Sequence, residues 1–275
     1  MSAVDRVDVA GPERTGAGRA QPAAPAPVAD LTRGMIEIRH VADRGDAQAA
    51  YDGLYAGHGI DNPVRHLEHL LDLIDARPGQ RLLDVACGEA GLVRVARARG
   101  LTAQGVDLSP VALAAGRRGG LPTGVLAVAD GQALPFPDRC FDRVTNIGSL
   151  EHYADPLAGV AEMARVLAPG GRAAILVPNT FGLRWSVLHA WRHGDVHDDG
   201  QPIQRYATRG QWQRLLEAGG LIVERVVGSE NQDDLPASGR DIGVLLRHPS
   251  RLLIPLARWV PVDMASMLIF VCGRR

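Results

Sequence analysis

The stretch LLDVACGEAGLV, residues 82–93, joins a short apolar run to an acid, a turn and a helical pattern. A strand followed at once by a glycine-containing turn and a helix presents backbone N–H groups to a ligand. The dinucleotide fingerprint G-x-G-x-x-G does not fit, because Ala86 stands where the first glycine belongs, ahead of Gly88 and Gly91. Asp84, at the strand end, would repel a pyrophosphate but would suit a ligand with an ammonium group. The alternative is that Asp84 only satisfies the N–H groups of the turn.

Acids end the next two predicted strands as well. Asp107 stands where a carboxylate can accept hydrogen bonds from both hydroxyls of a ribose. Asp130, followed by Gly131, stands where a side chain can accept from an exocyclic amine, and Asn146 comes near the end of the fourth strand. Acids at three successive strand ends, beside a turn unsuited to phosphate, predict a nucleoside with an amino-acid tail. That description fits S-adenosylmethionine.

The rest of the chain alternates between the hydrophobic pattern of a β-strand and that of an α-helix. The predicted strands are 81–86, 102–108, 124–130, 142–148, 172–179, 221–228 and 264–272, and the predicted helices are 45–59, 62–79, 91–100, 109–118, 155–171 and 208–220. Strands that alternate with helices predict an α/β fold with a doubly wound, mostly parallel sheet and helices on both faces. Such sheets bind their ligand at the carboxyl ends of the strands.

At this point the chain resembles a class I S-adenosylmethionine-dependent methyltransferase, of the group that includes quinone-biosynthesis and other small-molecule enzymes. The segments that carry the resemblance are LLDVACGEAG (82–91), GVDLS (105–109), ADGQALPFPDRCFD (129–142), NIGSLEHYADP (146–156) and RVLAPGGRAAILVPN (165–179). The resemblance implies a Rossmann-like sheet of seven strands in which the last strand, 264–272, is antiparallel. It also implies S-adenosyl-L-methionine as the cofactor.

The resemblance assigns the cofactor site residue by residue. It implies that the turn at 86–88 holds the methionine part, that Asp107 and Leu108 hold the ribose, and that Asp130 and Gly131 hold the adenine, with Asn146 nearby. The family usually has glycine at the positions of Ala86 and Ala90. Because alanine disfavours a positive φ, we expect negative φ at both positions, with the methyl groups pointing away from the cofactor.

Candidate residues for the acceptor side are few, because methyl transfer from a sulfonium mainly requires positioning. His152 is the candidate general base; alternatively it orders a loop or touches the cofactor. Tyr51 and Tyr55, one helical turn apart, are expected to close over the cofactor or simply to pack on the helix face. Tyr51, His193 and Tyr206 are candidate acceptor contacts; alternatively, Tyr206 caps the helix that begins near Thr208.

The run His193-x-Asp195-x-His197 offers three ligand types that could hold a metal, but a solvated loop covering the substrate is the preferred interpretation, and we expect no metal site. Residues 1–33 are rich in Ala, Pro, Gly and Arg and are expected to be a disordered tail. Residues 34–275 are expected to form the methyltransferase domain, with substrate-cap insertions around 180–207 and 230–262.

Composition limits the possible partners. The net charge is −1 and the chain contains no lysine, so a general affinity for nucleic acid is not expected. Three widely spaced cysteines, no secretory signal and no apolar run long enough to span a membrane favour a reduced, cytoplasmic protein. The expected function is methyl transfer to an oxygen, nitrogen or carbon of a small molecule, and the composition favours a place in specialised metabolism. The alternative is a cofactor-binding protein that does not methylate; the oligomeric state is left open.

Overall fold

The computed structural model describes residues 31–41, 44–57, 59, 62–230 and 260–274. Nearly all of the expected tail, residues 1–30, lies outside this part of the chain. The same holds for residues 231–259, which make up most of the expected cap insertion at 230–262. The expected insertion at 180–207 is fully described.

Nine strands and seven α-helices are named within the described residues. The strands are β1 (Ile36–Arg39), β2 (Arg81–Val85), β3 (Thr102–Asp107), β4 (Leu126–Val128), β5 (Phe141–Ile147), β6 (Leu167–Pro178), β7 (Ile203–Tyr206), β8 (Leu221–Ser229) and β9 (Met267–Arg274). The helices are α1 (Arg44–Gly57), α2 (Val64–Leu73), α3 (Gly91–Ala98), α4 (Pro110–Arg118), α5 (Pro156–Val166), α6 (Leu188–His193) and α7 (Arg209–Ala218).

The main sheet contains seven strands in the order β4-β3-β2-β5-β6-β9-β8. The first five strands in this order, β4, β3, β2, β5 and β6, run parallel to one another. Strand β9 runs antiparallel to both β6 and β8. The predicted fold class, with its antiparallel last strand, is confirmed. The order reverses at β2, which lies between β3 and β5, and ligands of such sheets bind at this point.

The buried strand β2 shows why the sheet is covered on both faces. Leu83 and Val85 belong to one hydrophobic cluster, which contains Met163 of α5 and Trp212 of α7. Leu82, on the other face, belongs to a second cluster with residues of α2 and α3. Successive side chains of a strand point to opposite faces, so an apolar run buries both.

Polar caps fix where several helices begin. Ser109 accepts a hydrogen bond from the N–H of Ala112 at 3.2 Å, and Pro110 occupies the first turn of α4. Helix α5 was predicted to run to residue 171, but it ends at Val166. Strand β6 begins at Leu167, because this residue pairs with Phe141 of β5 ahead of a register shift.

A second, two-stranded sheet was not predicted. Strand β1 pairs antiparallel with β7, with Ile36 opposite Tyr206 and Arg39 opposite Ile203. The insertion at 180–207 therefore contributes a helix, α6, and a strand, β7, to the structure. No helix among the described residues is long and apolar enough to cross a membrane.

Candidate active site

A cavity lies at the carboxyl ends of β2, β3 and β5, below helix α1 and beside the start of β7. Of the residues proposed from the sequence, its wall includes Asp84, Ala86, Gly88, Asp107, Leu108, Asp130, Gly131, Tyr51 and His152. Three further proposed residues, Asn146, His193 and Tyr206, are not part of this wall. All of the cofactor candidates except Asn146 therefore line the cavity, whereas two of the acceptor candidates, His193 and Tyr206, do not.

The turn after β2 contains three residues in the left-handed region, at alternate positions. Ala86 has φ +60°, Gly88 φ +52° and Ala90 φ +62°. The expectation of negative φ at Ala86 and Ala90 is wrong. The turn is held by bonds from Cys87 N to the carbonyl of Val106 at 2.9 Å and from Ala90 N to the carbonyl of Cys87 at 2.8 Å. The bond to β3 and the bond within the turn together impose a conformation that costs alanine on the order of 1 kcal/mol per residue.

Asp84 is buried below this turn and is the second-to-last residue of β2. Its Oδ1 accepts a hydrogen bond from the Thr145 hydroxyl at 2.7 Å. Burial raises the pKa of Asp84 to about 7, and the nearby charge of Asp107 acts in the same direction. A carboxyl group that is half ionised at neutral pH can become fully ionised beside a cationic ligand, since an opposite charge favours the charged form.

Asp107, at the end of β3, supports the turn as well as lining the cavity. Its Oδ2 accepts from the N–H of Gly88 at 2.7 Å, and its Oδ1 accepts from the N–H of Ser109 at 2.8 Å. Burial raises the pKa of Asp107 although both backbone N–H groups oppose this shift. A carboxylate has about four acceptor positions, so two remain for ribose hydroxyls.

The loop after β4 forms a flat wall around Asp130. Asp130 Oδ1 accepts from the backbone N–H of Gln132 at 2.9 Å and from its side-chain Nε2 at 3.0 Å. A Cβ atom at Gly131 would overlap the hydroxyl of Tyr153, so only glycine permits this close approach. Tyr153, which lines the cavity and was not proposed from the sequence, therefore helps to shape the wall near Asp130. Its position in GSLEHY, directly after the His152 candidate, was the available signal.

Helix α1 covers the turn from above. The Tyr55 hydroxyl would lie 2.8 Å from a Cβ placed on Gly88, so it sits directly over the turn. The Ser109 hydroxyl donates a hydrogen bond to the Asp52 carboxylate, which ties α1 to the start of α4. This arrangement is compatible with the proposed lid, of which Tyr51 and Tyr55 are the aromatic members.

Asn146 is fully buried and is used within the protein. Its Nδ2 donates to the carbonyl of Val85 and to the Tyr153 hydroxyl, both at 3.1 Å, and its Oδ1 accepts from the N–H of Leu150 at 3.0 Å. These bonds give Asn146 a bracing role, and the cofactor contact proposed for it stays a prediction. Its side chain fixes the loop that carries His152 to the end of β2.

His152 lies on a 3-10 turn, Leu150–His152, and its ring is almost completely buried. Its Nδ1 lies against the backbone carbonyl of Ile203. Because a carbonyl only accepts, Nδ1 carries the proton and the lone pair is on Nε2. Burial lowers the pKa of His152, so the ring is neutral at pH 7.

The remaining acceptor candidates lie away from the cavity. His193 is exposed and packs against His189, with ring centroids 4.5 Å apart. Tyr206 is buried in β7, where its hydroxyl lies 3.1 Å from Nδ1 of His197. His197 also contacts Trp185 through its ring. Within the part of the chain that the structure describes, no three His, Cys, Asp or Glu side chains are arranged to hold a metal ion.

The donor set of the cavity fits the cofactor that the sequence suggests. Asp84, Asp107 and Asp130 each face the same space, and carboxylates complement an ammonium group, ribose hydroxyls and an exocyclic amine respectively. A sheet of this topology with acids at three strand ends defines a class I methyltransferase fold.

Comparisons with known proteins agree with this class. A family model described as "Methyltransferase domain" matches residues 83–175. The chain is 41% identical over 103 residues to a demethylmenaquinone methyltransferase of Corynebacterium efficiens, covering 37% of this chain and 43% of that protein. It is 33% identical over 171 residues to a 27-O-demethylrifamycin SV methyltransferase of Amycolatopsis mediterranei, covering 58% and 61%.

Solved structures share the fold. An S-adenosylmethionine-dependent methyltransferase from Mesorhizobium loti superposes with a TM-score of 0.54 at 19% identity, covering 75% of this chain and 96% of that one. The chain spans about half the length of the curated relatives that it matches first. Residues 83–175 therefore match a methyltransferase domain, and the chain has the fold of class I S-adenosylmethionine-dependent methyltransferases.

Proposed function

We propose that the protein transfers the methyl group of S-adenosylmethionine to a small-molecule acceptor in specialised metabolism. The observation that carries this proposal is the convergence of Asp84, Asp107 and Asp130 on one cavity beside the turn at 86–88. Two relatives, a demethylmenaquinone methyltransferase and a 27-O-demethylrifamycin SV methyltransferase, are named for small-molecule acceptors, which supports a small acceptor for this protein.

When bound, S-adenosylmethionine supplies a methyl group on a positively charged sulfur, which is already an activated leaving group. The residues of this chain then have to bind the two reactants, align them and exclude water. Tyr51 and Tyr55 of α1 cover the cavity, and Gln201 and Ile203 of the insertion at 180–207 contribute to its wall. These contacts support the interpretation of that insertion as part of a substrate cap.

Isothermal titration with S-adenosylmethionine, S-adenosylhomocysteine and NAD tests the cofactor assignment. We expect both sulfur compounds to bind and NAD not to bind, because the turn lacks the glycine pattern for a diphosphate. A panel of small acceptors, followed by release of S-adenosylhomocysteine, tests the reaction. Binding of the cofactor without release for any acceptor would favour the non-methylating alternative.

A further inference from the structure

Three buried polar atoms beside the cavity have no hydrogen-bond partner within the described protein. They are the Tyr51 hydroxyl, the Ser149 hydroxyl and Oε2 of Glu151. Tyr51 and Ser149 line the cavity, as does His152, which follows Glu151 in the chain. Buried polar groups are normally paired, so this cluster indicates a polar ligand group that the protein alone does not supply.

The geometry between Glu151 and His152 limits what that group can be. The Nε2 atom of His152, which carries the free lone pair, lies 3.8 Å from Oε1 of Glu151. A single oxygen atom can lie within hydrogen-bond distance of both atoms. His152 cannot turn its other nitrogen to the ligand without losing the bond to Ile203.

The charge of this cluster limits the ligand further. Burial raises the pKa of Glu151 to about 8, and burial lowers the pKa of His152, so both are neutral at pH 7. An ammonium group would find no counter-charge on this pair, whereas a hydroxyl would need none. The groups that face Glu151 are Tyr51 from α1, Asp199 from the segment before β7, Arg205 and Tyr206 from β7, and His152 and Tyr153 beside it.

We propose that Tyr51, Glu151 and His152 form a subsite for an acidic hydroxyl of the acceptor, a phenol or an enol, whose oxygen is methylated. This inference rests on the proposed function and adds the acceptor class. The Tyr51 hydroxyl holds the acceptor oxygen, and Nε2 of His152 accepts the hydroxyl proton. The acceptor oxygen bonds to the methyl carbon while the carbon–sulfur bond breaks, and the bonding pair stays on sulfur to give S-adenosylhomocysteine.

Glu151 acts through His152 and is a positioning residue. Once His152 holds the proton, its positive charge favours ionisation of Glu151, and the resulting carboxylate at 3.8 Å stabilises the imidazolium. Ionisation of Glu151 is complete only above pH 8, so proton transfer to His152 becomes more favourable as the pH rises through that value. A merely structural Glu151 would produce no such dependence.

A fluorescent phenol and its methyl ether test the subsite directly. The protein is saturated with S-adenosylhomocysteine, and 4-methylumbelliferone or its 7-methyl ether is titrated in. We expect the phenol to bind about tenfold more tightly than the ether, the scale of one hydrogen bond to a strong partner. The excitation spectrum should show that the bound phenol ionises at a lower pH than the free one.

Variants of the three subsite residues distinguish loss of the subsite from a general loss of folding or of cofactor binding. In Glu151→Gln and His152→Gln, the preference for the phenol and the shift in its ionisation should both disappear, while S-adenosylhomocysteine still binds. Tyr51→Phe should lower the preference without removing the shift. Glu224→Gln, which changes a half-exposed ion pair with Arg172 on the far side of the sheet's last strands, should behave as the wild type.

Equal affinity for the phenol and the ether would overturn the inference, as would wild-type behaviour of both Glu151→Gln and His152→Gln. Failure of both coumarins to bind a protein that binds S-adenosylhomocysteine also counts against it. If the wild type does not bind S-adenosylhomocysteine, the proposed function itself fails.

Discussion

The backbone N–H of Gly88 donates to Oδ2 of Asp107 across 2.7 Å, so the acid that ends β3 also holds the turn that follows β2. The same carboxylate accepts from the N–H of Ser109 at the start of α4. Two neighbouring strand ends are therefore locked together by one side chain. Any cofactor contact of Asp107 is made by a group that is already fixed in place.

Asp107→Ala should weaken binding of S-adenosylmethionine by about 1.5–3 kcal/mol, the scale for losing hydrogen bonds to a charged group. It should also lower the melting temperature, because the N–H groups of Gly88 and Ser109 lose their acceptor. Titration calorimetry and thermal unfolding measure the two effects. Asp72→Ala, which removes an exposed partner of Arg99, is the matched control. Unchanged affinity in Asp107→Ala would show that the ribose lies elsewhere.

The two left-handed alanines should respond differently to glycine. Ala86→Gly should raise the free energy of unfolding by about 0.5–1 kcal/mol, because it relieves a positive φ at a partly exposed residue. Ala90→Gly relieves the same strain but removes a fully buried methyl, which costs about 0.8 kcal/mol, so its net effect should be near zero. Chemical denaturation measures both. Equal stabilisation by the two substitutions would contradict the burial argument.

Asp84 should make both stability and cofactor affinity depend on pH, in opposite directions. Its folded pKa of about 7 is above the value of about 3.9 in an unfolded chain. The folded state therefore binds more protons, and the stability present below about pH 4 is lost as the pH rises through 7. Affinity for S-adenosylmethionine should instead fall below pH 7, where the carboxyl becomes protonated.

Asp84→Asn removes the titrating group and should flatten both pH dependences. We expect the free variant to be at least as stable as the wild type at pH 8, with weaker cofactor binding at that pH. Thermal unfolding and calorimetry between pH 5 and pH 9 measure these effects. A wild-type pH dependence of affinity in Asp84→Asn would exclude Asp84 as the partner of the ammonium group.

Gly131→Ala should lower cofactor affinity by displacing Tyr153. The new methyl would overlap the Tyr153 hydroxyl, which in turn holds Asn146. Since Tyr153 shapes the wall next to Asp130, we expect an affinity loss of about tenfold or more. Gly53→Ala in α1, where a Cβ meets no atom within 4 Å, serves as the control. An unaffected Gly131→Ala would mean that Tyr153 can move without consequence.

Local patterns were enough to predict the α/β class and the acids at the strand ends. Apolar runs indicate the strands, and Asp84, Asp107 and Asp130 lie at or near the carboxyl ends of β2, β3 and β4. The φ angles at Ala86 and Ala90 were not predictable, because they are imposed by bonds to residues of β3. The hydrophobic pattern also could not show that Asn146 faces the interior, since its partners lie on another strand, at Val85, and in the loop at Leu150 and Tyr153.

The pairing of β1 with β7, which lie far apart in the sequence, was not predicted for a similar reason. Each strand of the β1–β7 pair has four residues, and Ile36 meets Tyr206. Segments this short carry little periodicity, and nothing near either one identifies its partner. The orphaned oxygen of Glu151 likewise depends on which groups surround it in three dimensions.

The central place of β9 between β6 and β8 affects how the protein can be made. Strand β8 does not pair directly with β6, because β9 lies between them and pairs with both. The ribosome synthesises β9 after both of these strands. Until Met267–Arg274 has emerged, β6 presents an open edge, and open edges of this kind attract other chains. We expect nascent chains that stop before β9 to depend on chaperones, even though the whole ligand cavity precedes that strand.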